Sequence, residues 1–524
     1  MRISAIQVRL TSHYSTAEFP HAGVNKRRVP SPPVDVAIVG TGPNGLAAGV
    51  ILARAGLSVH LFEAGDTFGG GLRSIPLFDS EVVHDICSAV HPLGAASRFF
   101  REFDLEARGV ELRVPDASYA HPLDGAPPGV AYRDLERTCE QLGRDGARWR
   151  GLMEPLVKHS ESVVDLVLSD QRRLPKDVLA PLLLAPRALL GGSPLTSRLF
   201  AGRTARALLA GVAAHSLGRL PSLPGGAVAM LLGHLAHASG WPLPRGGSQR
   251  LADALVADIE AHGGTCHAST PIEDLREVGQ AKAVLLNVSP KVFLDLAGPR
   301  LPARYRRRLG RFTHGPGSAK VDFLVSDPVP WRDPEVGRAP TVHVGGDERE
   351  VFAYESAVQR GERRGEPFVL LVDPAVADPD RARPGRRPLW AYCHVPNGDP
   401  VDPTEAITAR IERYAPGFRD TVLESRAITA PEFERYNRNY VGGDIAGGAV
   451  TVPQMLARPA PRVNPYATPL PGVYLCSAST PPGPSVHGMA GYHAARAVLR
   501  KEFGIRTLPA LEPGPPVSPG GMVR

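Results

Sequence analysis

The stretch from Val34 to Glu63 reads VDVAIVGTGPNGLAAGVILARAGLSVHLFE. Its pattern predicts a buried strand, a glycine-rich turn, a helix of small and apolar residues, and a second strand that ends at an acid. In the turn, Gly40 permits a tight bend, Gly42 lets a phosphate approach the backbone, and Gly45 lets the helix pack closely on the strand. Free N–H groups at the start of the helix attract negative charge. The stretch therefore predicts a dinucleotide-binding unit.

The acid at the end of the second strand narrows the choice of dinucleotide. Glu63 stands 18 positions after Gly45, where a carboxylate can accept hydrogen bonds from ribose hydroxyls and disfavours a 2′-phosphate. FAD or NAD is therefore expected rather than NADP. Pro43, Asn44 and Ala64 belong to the same predicted cofactor site. A glycine turn in another kind of α/β unit is the alternative, but the strand, helix and acid all fit the dinucleotide context.

A second glycine cluster follows the acid. Gly69, Gly70 and Gly71 lie in the sequence AGDTFGGGLRS, directly after Glu63. This arrangement resembles the second motif of the flavin-binding amine oxidase and phytoene desaturase superfamily, in which an Arg after a glycine pair touches the phosphates. Gly71 stands at the usual Arg position, so the resemblance makes Arg73 the candidate replacement. A flexible loop is the alternative.

The far end of the chain extends the resemblance. Residues 472–500 read GVYLCSASTPPGPSVHGMAGYHAARAVLR, which predicts a strand, a Pro/Gly turn and a helix. In the same superfamily a comparable unit closes over the flavin, which implies that Thr480 lies near the ribityl chain or the pyrophosphate. The resemblance also places Val486, Gly488 and Met489 against the flavin, where a helix N-terminus would stabilise negative charge on the reduced ring. An ordinary packing helix is the alternative.

Other stretches resemble one phytoene-dehydrogenase-like branch of this superfamily, the group named pyridine nucleotide-disulfide oxidoreductase domain-containing protein 2. They are HDICSAVHP (84–92), GWPLPRGG (240–247), WAYCHVP (390–396), YVGGDI (440–445) and STPPGPSVHGM (479–489). The resemblance implies an α/β fold with a Rossmann-type, glutathione-reductase-like FAD-binding domain. That domain is expected to be interleaved with an α+β substrate domain, made of an antiparallel sheet and a helical cap.

The predicted domains are discontinuous. The FAD-binding domain is expected from three segments: 34–100, 243–297 and 471–503. The substrate and cap domain is expected from two segments: 101–242, which is mainly helical in pattern, and 298–470. A leader at 1–33 and a Pro- and Gly-rich tail at 504–524 are expected to be disordered. Whether the leader is a targeting peptide stays open.

Composition excludes several functional classes. The 524 residues carry a net charge of +7, with 43% hydrophobic and 22% charged residues, as in a mildly basic globular enzyme. Five scattered cysteines without a CxxC pair exclude a redox disulfide and a zinc site, and their sparseness is typical of a reducing compartment. No nucleic-acid partner and no metal are expected. A cytoplasmic location is expected, with an organellar or membrane-peripheral one as alternatives, and the oligomeric state stays open.

One apolar stretch raises the question of membrane contact. Residues 174–190 read LPKDVLAPLLLAPRALL. A buried helix of the cap is the expected explanation. An interfacial helix that makes peripheral membrane contact is the alternative.

Candidates for acid–base chemistry are few. His487 lies in the turn that the resemblance places against the flavin, and imidazole titrates near neutral pH, so it is the predicted catalytic residue. Tyr392 and His394 end a predicted strand that could line the pocket. Lys320 begins another strand, and amine oxidases hold a Lys near the flavin N5 through water. A structural hydrogen bond is the competing explanation for each lone histidine.

The predicted function is that of an FAD-dependent oxidoreductase of phytoene-dehydrogenase type. Hydride would pass between flavin N5 and an apolar small molecule such as an isoprenoid, retinoid or lipid. Desaturation, saturation and isomerisation all stay open. The alternatives are an FAD-dependent amine oxidase and an FAD-loaded regulatory protein without catalysis.

Overall fold

The computed structural model describes residues 34–170 and 177–513. The predicted leader and residues 514–524 of the predicted tail lie outside this range. The strands are β1 (Val36–Val39), β2 (Val59–Phe62), β3 (Ser74–Pro76), β4 (Val83–Asp85), β5 (Leu112–Arg113), β6 (Ala117–His121), β7 (Gly129–Tyr132), β8 (Leu243–Pro244), β9 (Thr265–His267), β10 (Ala283–Leu286), β11 (Gly317–Val325), β12 (Thr341–Val344), β13 (Val369–Val372), β14 (Arg387–Val395), β15 (Val422–Ile428) and β16 (Val473–Leu475).

The α-helices lie between these strands along the chain, and seven of them follow one another between residues 135 and 238. They are α1 (Pro43–Arg54), α2 (Pro92–Ala96), α3 (Arg98–Phe103), α4 (Leu135–Gln141), α5 (Gly146–Lys158), α6 (Ser160–Val167), α7 (Leu179–Gly191), α8 (Thr196–Leu199), α9 (Arg203–Ala214), α10 (Leu223–Ala238), α11 (Gln249–Ala261), α12 (Pro290–Ala297), α13 (Ala303–Leu309), α14 (Glu348–Gln359), α15 (Thr404–Tyr414), α16 (Phe418–Thr421), α17 (Ala430–Tyr436), α18 (Val452–Ala457) and α19 (Met489–Glu502).

A five-stranded parallel sheet carries the glycine-rich turn. Its strand order is β16–β10–β1–β2–β9. The strands at its centre are short and apolar, as expected for strands that are covered on both faces. Helix α1 contacts both α11 and α19. These strands come from all three segments assigned to the FAD-binding domain, and the expected α/β fold class is confirmed. The domain boundaries themselves stay predictions.

A seven-stranded sheet forms the second layer. Its order is β15–β11–β14–β13–β12–β6–β7, and neighbours are antiparallel except β6 and β12, which are parallel. Strands β6 and β7 belong to segment 101–242, so that segment adds an edge to the sheet as well as helices. One face packs on α15, while α9 and α14 contact strands from the other side.

Helix α7 covers part of the apolar stretch 174–190, of which residues 174–176 lie outside the described range. The helix packs on α10 through Ala180, Leu184 and Ala188. Leu182 and Leu189 on the other side are 68% and 59% exposed. The predicted buried helix is therefore buried on one face only. Among the helices that the structure describes, none is long and apolar enough to cross a bilayer.

The first part of the predicted tail is ordered against the protein. Arg54 donates to the carbonyl oxygens of Ala510 and Glu512, both at 3.0 Å. Arg108 donates to the carbonyl of Leu511 at 2.7 Å, and the Leu511 side chain is buried. The expectation of disorder is therefore wrong for residues 504–513, because two guanidinium groups satisfy backbone carbonyls that no helix or strand satisfies.

Candidate functional site

The glycine-rich turn has the geometry that a phosphate requires. Helix α1 begins directly after Gly42, with Pro43 in its first turn and no cap from the side chain of its N-cap residue, so its positive dipole end and the N–H of Asn44 can face an anion. Gly40 has φ +89°, in the left-handed region. A Cβ on Gly45 would lie 2.1 Å from the Gly40 carbonyl oxygen. Glycine is therefore required at both positions, as the sequence predicts.

Asn287, which the sequence analysis missed, braces this turn. It follows β10, and with its amide oriented so that Oδ1 faces the turn it accepts from the N–H groups of Gly42 at 3.1 Å and Gly45 at 3.3 Å. A Cβ on Gly42 would lie 2.9 Å from the same amide. Carboxyl ends of neighbouring parallel strands meet at one edge of a sheet. The sequence signal for Asn287 is that a polar residue directly follows β10, the strand next to β1.

Glu63 is held by four donors of the chain itself. Its Oε2 accepts from the N–H of Thr41 at 3.0 Å and from Thr41 Oγ1 at 2.6 Å. Its Oε1 accepts from the N–H of Gly65 at 2.9 Å and from Arg73 Nη2 at 3.0 Å. A carboxylate offers about four acceptor positions. The predicted ribose contact would therefore have to displace or share one of these bonds.

Arg73 does not take the place that the resemblance suggested. Besides Glu63, its guanidinium donates twice to the carbonyl of Thr67, at 2.8 and 3.0 Å, and it lies 5.5 Å from the ring centroid of Tyr436. These bonds hold the loop after Glu63. The structure thus gives Arg73 a loop-bracing role in place of the expected phosphate contact. Ala64, next to the acid, is exposed.

The second glycine cluster packs on the first. The Gly69 N–H donates to the carbonyl of Thr41 at 3.2 Å. A Cβ on Gly70 would lie 3.1 Å from the Cα of Gly42. A Cβ on Gly71 would lie 2.6 Å from Tyr440 Oη, which explains why the Arg of related motifs has no room here. The two glycine clusters therefore form one surface.

The two ends of the chain meet, as expected from the resemblance. Strand β16 pairs in parallel with β10, and α19 lies on α1. A Cβ on Gly491 would lie 1.8 Å from the carbonyl oxygen of Asn44, and one on Gly488 would lie 3.1 Å from Ala47 Cβ. Val486 is buried just before this contact. The start of α19 is thereby held against the start of α1.

The N–H and hydroxyl of Thr480 and the N–H of Met489 donate to acceptors within the same turn. The Thr480 N–H and Oγ1 both donate to the carbonyl of Ser477, at 2.9 and 2.7 Å. The Met489 N–H donates to Nδ1 of His487 at 3.0 Å, so one of the α19 N–H groups expected to face the flavin is already paired. The cofactor-binding roles of these residues stay predictions.

The structure gives His487 a structural role. Its Nδ1 accepts from Met489, and its Nε2 lies 3.2 Å from the carbonyl oxygen of Gly483, which only a protonated Nε2 can satisfy. The ring is fully buried, and burial lowers its pKa to about 4. Both nitrogens are thus engaged with the backbone, which argues against the predicted catalytic role.

Three residues between the glycine clusters and the seven-stranded sheet keep accessible surface, and we call the space that they face the cavity. Burial raises the pKa values of Cys87, Tyr392 and Tyr440, yet each of these side chains keeps accessible surface. Accessible surface on side chains so deep in the protein faces an internal space. Cys87 Sγ lies 3.6 Å from Tyr440 Oη and 3.7 Å from the Cβ position of Gly71. The cavity therefore runs from the second glycine cluster towards Tyr392 on β14.

Lys320, which lies on β11, has its ammonium group fully engaged. Its Nζ donates to the carbonyls of Asp85 at 2.8 Å and Ile86 at 2.9 Å. It also forms an ion pair with Asp322 at 2.7 Å, and both side chains are buried. An ammonium has three donors; two of them make hydrogen bonds here, and Asp322 meets the group as an ion pair. Lys320 therefore ties the sheet to the segment after the second glycine cluster.

The residues at this site fit a flavin dinucleotide. The start of α1 and the adjoining glycine surface suit a pyrophosphate. The cavity beyond Gly71 leads to aromatic side chains, which suit a flat ring system. A Cβ at Gly45 or Gly71 would fill this cradle.

Comparisons with known proteins agree with this geometry. A family model described as flavin containing amine oxidoreductase matches residues 44–499. A mouse protein named pyridine nucleotide-disulfide oxidoreductase domain-containing protein 2 is 26% identical, over 91% of this chain and 95% of its own length. A hydroxysqualene dehydroxylase of Sinorhizobium fredii is 27% identical, over 57% of this chain and 73% of its own length.

Among solved structures, a variant of putrescine oxidase has a TM-score of 0.55 and 18% identity, with 90% of this chain and 99% of that one covered. At this identity the likeness concerns the fold alone.

Proposed function

Because the chain belongs to the flavin containing amine oxidoreductase family, we propose that it is an FAD-dependent oxidoreductase that acts on an apolar, lipid-like substrate. Family membership makes the chain an oxidoreductase and confirms the predicted flavin cofactor. The class of substrate is the part that we infer from the site.

The observation that carries this inference is the charge balance on the cavity side of the seven-stranded sheet. Asp322 and Glu355 lie there, and each is buried beside a cation or an imidazole of the chain. Asp322 pairs with Lys320 at 2.7 Å, and Glu355 pairs with His394 at 2.8 Å. An ammonium substrate buried at this face would need an unpaired counter-charge. The pairing supports an uncharged substrate.

The aromatic lining supports the same class. Tyr392 faces the cavity, with Trp390 stacked on it at 5.5 Å between ring centroids, and apolar side chains of this kind bind apolar ligands by burying their surface. The relative named hydroxysqualene dehydroxylase supports a lipid-like substrate as well, since its name specifies a derivative of squalene.

In such an enzyme the cofactor and the residues of the site have different roles. Bound FAD supplies the redox-active ring. The glycine clusters bind and orient the dinucleotide, Glu63 and Arg73 hold the loop between them, and the enclosed cavity keeps water from the reacting atoms.

The test is to purify the full chain, identify the released ligand by mass, and follow bleaching of the flavin absorbance without oxygen. Squalene, farnesol and retinol would represent lipids, and putrescine and benzylamine would represent amines. We expect a lipid to bleach the flavin. Bleaching by amines alone would establish the amine oxidase alternative, and a flavin that no compound reduces would favour the non-catalytic alternative.

A matched pair of glycine variants tests the cofactor site. Gly45→Ala should give colourless protein, because its Cβ would lie 2.1 Å from the Gly40 carbonyl oxygen. Gly151→Ala, where the new Cβ meets no atom within 4 Å, should keep the flavin. The ratio of flavin to protein absorbance measures both. A yellow Gly45→Ala protein would contradict the site.

A further inference from the structure

A buried histidine–carboxylate pair lies between the seven-stranded sheet and α14. His394 is on β14 and Glu355 is on α14, and both side chains are fully buried. His394 Nδ1 lies 2.8 Å from Glu355 Oε1 and 2.9 Å from Oε2. Since an ionised carboxylate only accepts, the hydrogen is on Nδ1. This bond fixes the orientation of the ring and leaves Nε2 pointing away from α14.

The other ring nitrogen has no hydrogen-bond partner. Within residues 34–170 and 177–513, nothing donates to or accepts from His394 Nε2, although this atom is buried. An unpaired buried polar atom costs about 1–3 kcal/mol. Most buried polar atoms in folded proteins are hydrogen-bonded, and one that is not calls for an explanation, such as a role in catalysis.

The unpaired nitrogen lies beside the cavity. The His394 ring centroid is 5.6 Å from that of Tyr392 and 6.3 Å from that of Phe368. Tyr392 keeps accessible surface at this depth. The indole nitrogen of Trp390, which stacks on Tyr392, is also unpaired, but it can only donate, whereas an imidazole nitrogen can donate or accept. An aromatic wall with few polar atoms suits an apolar molecule that carries a polar group.

The neighbouring histidines do not offer the same opportunity. Nε2 of His215, just after α9, lies 2.9 Å from Nε2 of His343 on β12, so these two rings satisfy each other. Burial, and to a smaller extent the charge of His394, lowers the pKa of His215 to about 3. Nδ1 of His343 is also unpaired, but it packs 2.7 Å from the Cβ position of Gly211. A ligand therefore has no room there.

We propose that His394 Nε2 binds the oxygen of a hydroxyl or carbonyl group on an otherwise apolar substrate, and that Glu355 is the positioning residue that holds the ring. This rests on the proposed function and narrows its substrate class to oxygen-bearing lipids. A pure hydrocarbon would leave Nε2 unpaired and would bind less tightly.

Three compounds with the same carbon skeleton test the proposal on the flavin-loaded full chain. Farnesol carries a hydroxyl, farnesal a carbonyl, and farnesene neither. Binding is measured as a Kd from the perturbation of the flavin spectrum. We expect one or both oxygenated compounds to bind about tenfold tighter than farnesene, the worth of one hydrogen bond. Preference for farnesol identifies Nε2 as an acceptor, and preference for farnesal identifies it as a donor.

Four variants test whether His394 and Glu355 cause the preference for the oxygenated compounds. His394→Asn keeps an amide that can reach Glu355 but has no atom at the Nε2 position, so the preference should vanish. His394→Gln places an amide near the Nε2 position and should restore part of it. Glu355→Gln should weaken the preference. Tyr354→Phe is the matched control, because it removes a hydroxyl that donates to the His394 carbonyl at 2.7 Å and should leave the preference unchanged.

The proposal fails if wild-type protein binds the three compounds equally or binds none of them, or if His394→Asn keeps the preference. If His394→Asn does not fold, the same criterion applies to Glu355→Gln. Flavin content and bleaching are measured first on the same preparation. A protein without flavin refutes the proposed function, whereas a flavin-loaded, reducible protein without the oxygen preference refutes only this inference.

Discussion

At the scale of single residues, the type of side chain suggests which reaction it could assist, but its hydrogen-bond partners in the structure determine whether it is free to do so. An imidazole near a flavin suggests proton transfer, but His487 spends both nitrogens on the backbone. A lysine on the same sheet suggests a contact with the flavin, but Lys320 spends its donors on two carbonyls and a carboxylate. Of these three residues, only His394 has a buried nitrogen without a hydrogen-bond partner among residues 34–170 and 177–513. The residue to test for contact with substrate is therefore His394.

The first prediction concerns His487. His487→Ala should lower the free energy of unfolding by about 1–3 kcal/mol, because it leaves the N–H of Met489 and the carbonyl of Gly483 unpaired. His487→Asn should recover part of this loss, since its side-chain oxygen can accept from Met489. Urea unfolding of the three proteins measures the effect. Unchanged stability together with slower flavin reduction in His487→Ala would restore the catalytic role.

At the scale of elements, local pattern was a good guide. The apolar runs, glycine turn and helix of residues 34–63 formed β1, α1 and β2 as predicted, because strand and helix periodicity are local properties of the chain. The sequence was a poorer guide to segment 101–242, which contributes β6 and β7 to the seven-stranded sheet. These two strands pair with each other, and β6 also pairs with β12, which lies far away along the chain. Pairing between strands that are distant along the chain depends on the folded structure of the whole chain.

The second prediction concerns the contact between α1 and α19. Gly491→Ala should force these helices apart, because its Cβ would lie 1.8 Å from the Asn44 carbonyl oxygen. Overpacking of this kind costs about 1–3 kcal/mol, and the displaced turn should bind less flavin. Arg500→Ala, on the exposed side of the same helix, is the control. The melting temperature and the flavin content measure both, and a Gly491→Ala protein with unchanged flavin content would show that the contact does not shape the site.

At the scale of the whole molecule, the buried histidines link stability to pH. Burial lowers the pKa of six of them to about 4: His91, His121, His234, His237, His487 and His493. In the unfolded chain these rings titrate near pH 6.5. Between these two values the unfolded state binds more protons, so the free energy of unfolding falls as the pH falls.

The third prediction follows from that linkage. Lowering the pH from 7.5 to 5.5 should destabilise the protein by about 1 kcal/mol for each of the six histidines. Urea unfolding at the two pH values measures the change. His487→Asn should show a smaller change, because it has one fewer ring to protonate on unfolding. Equal or greater stability at pH 5.5 would contradict the neutral, buried state of these rings.

The sequence by itself determined the dinucleotide unit, because this unit depends on glycines, apolar runs and an acid at set spacings. The resemblance of its motifs to those of known flavoproteins then implied the flavin and the family. The tertiary structure decided which groups are free at the site. It brought Asn287 to Gly42, saturated Glu63 with four donors, engaged His487 and Lys320, and paired His394 with Glu355. The physical reason is that hydrogen-bond partners distant along the chain are chosen by packing, which no local pattern encodes.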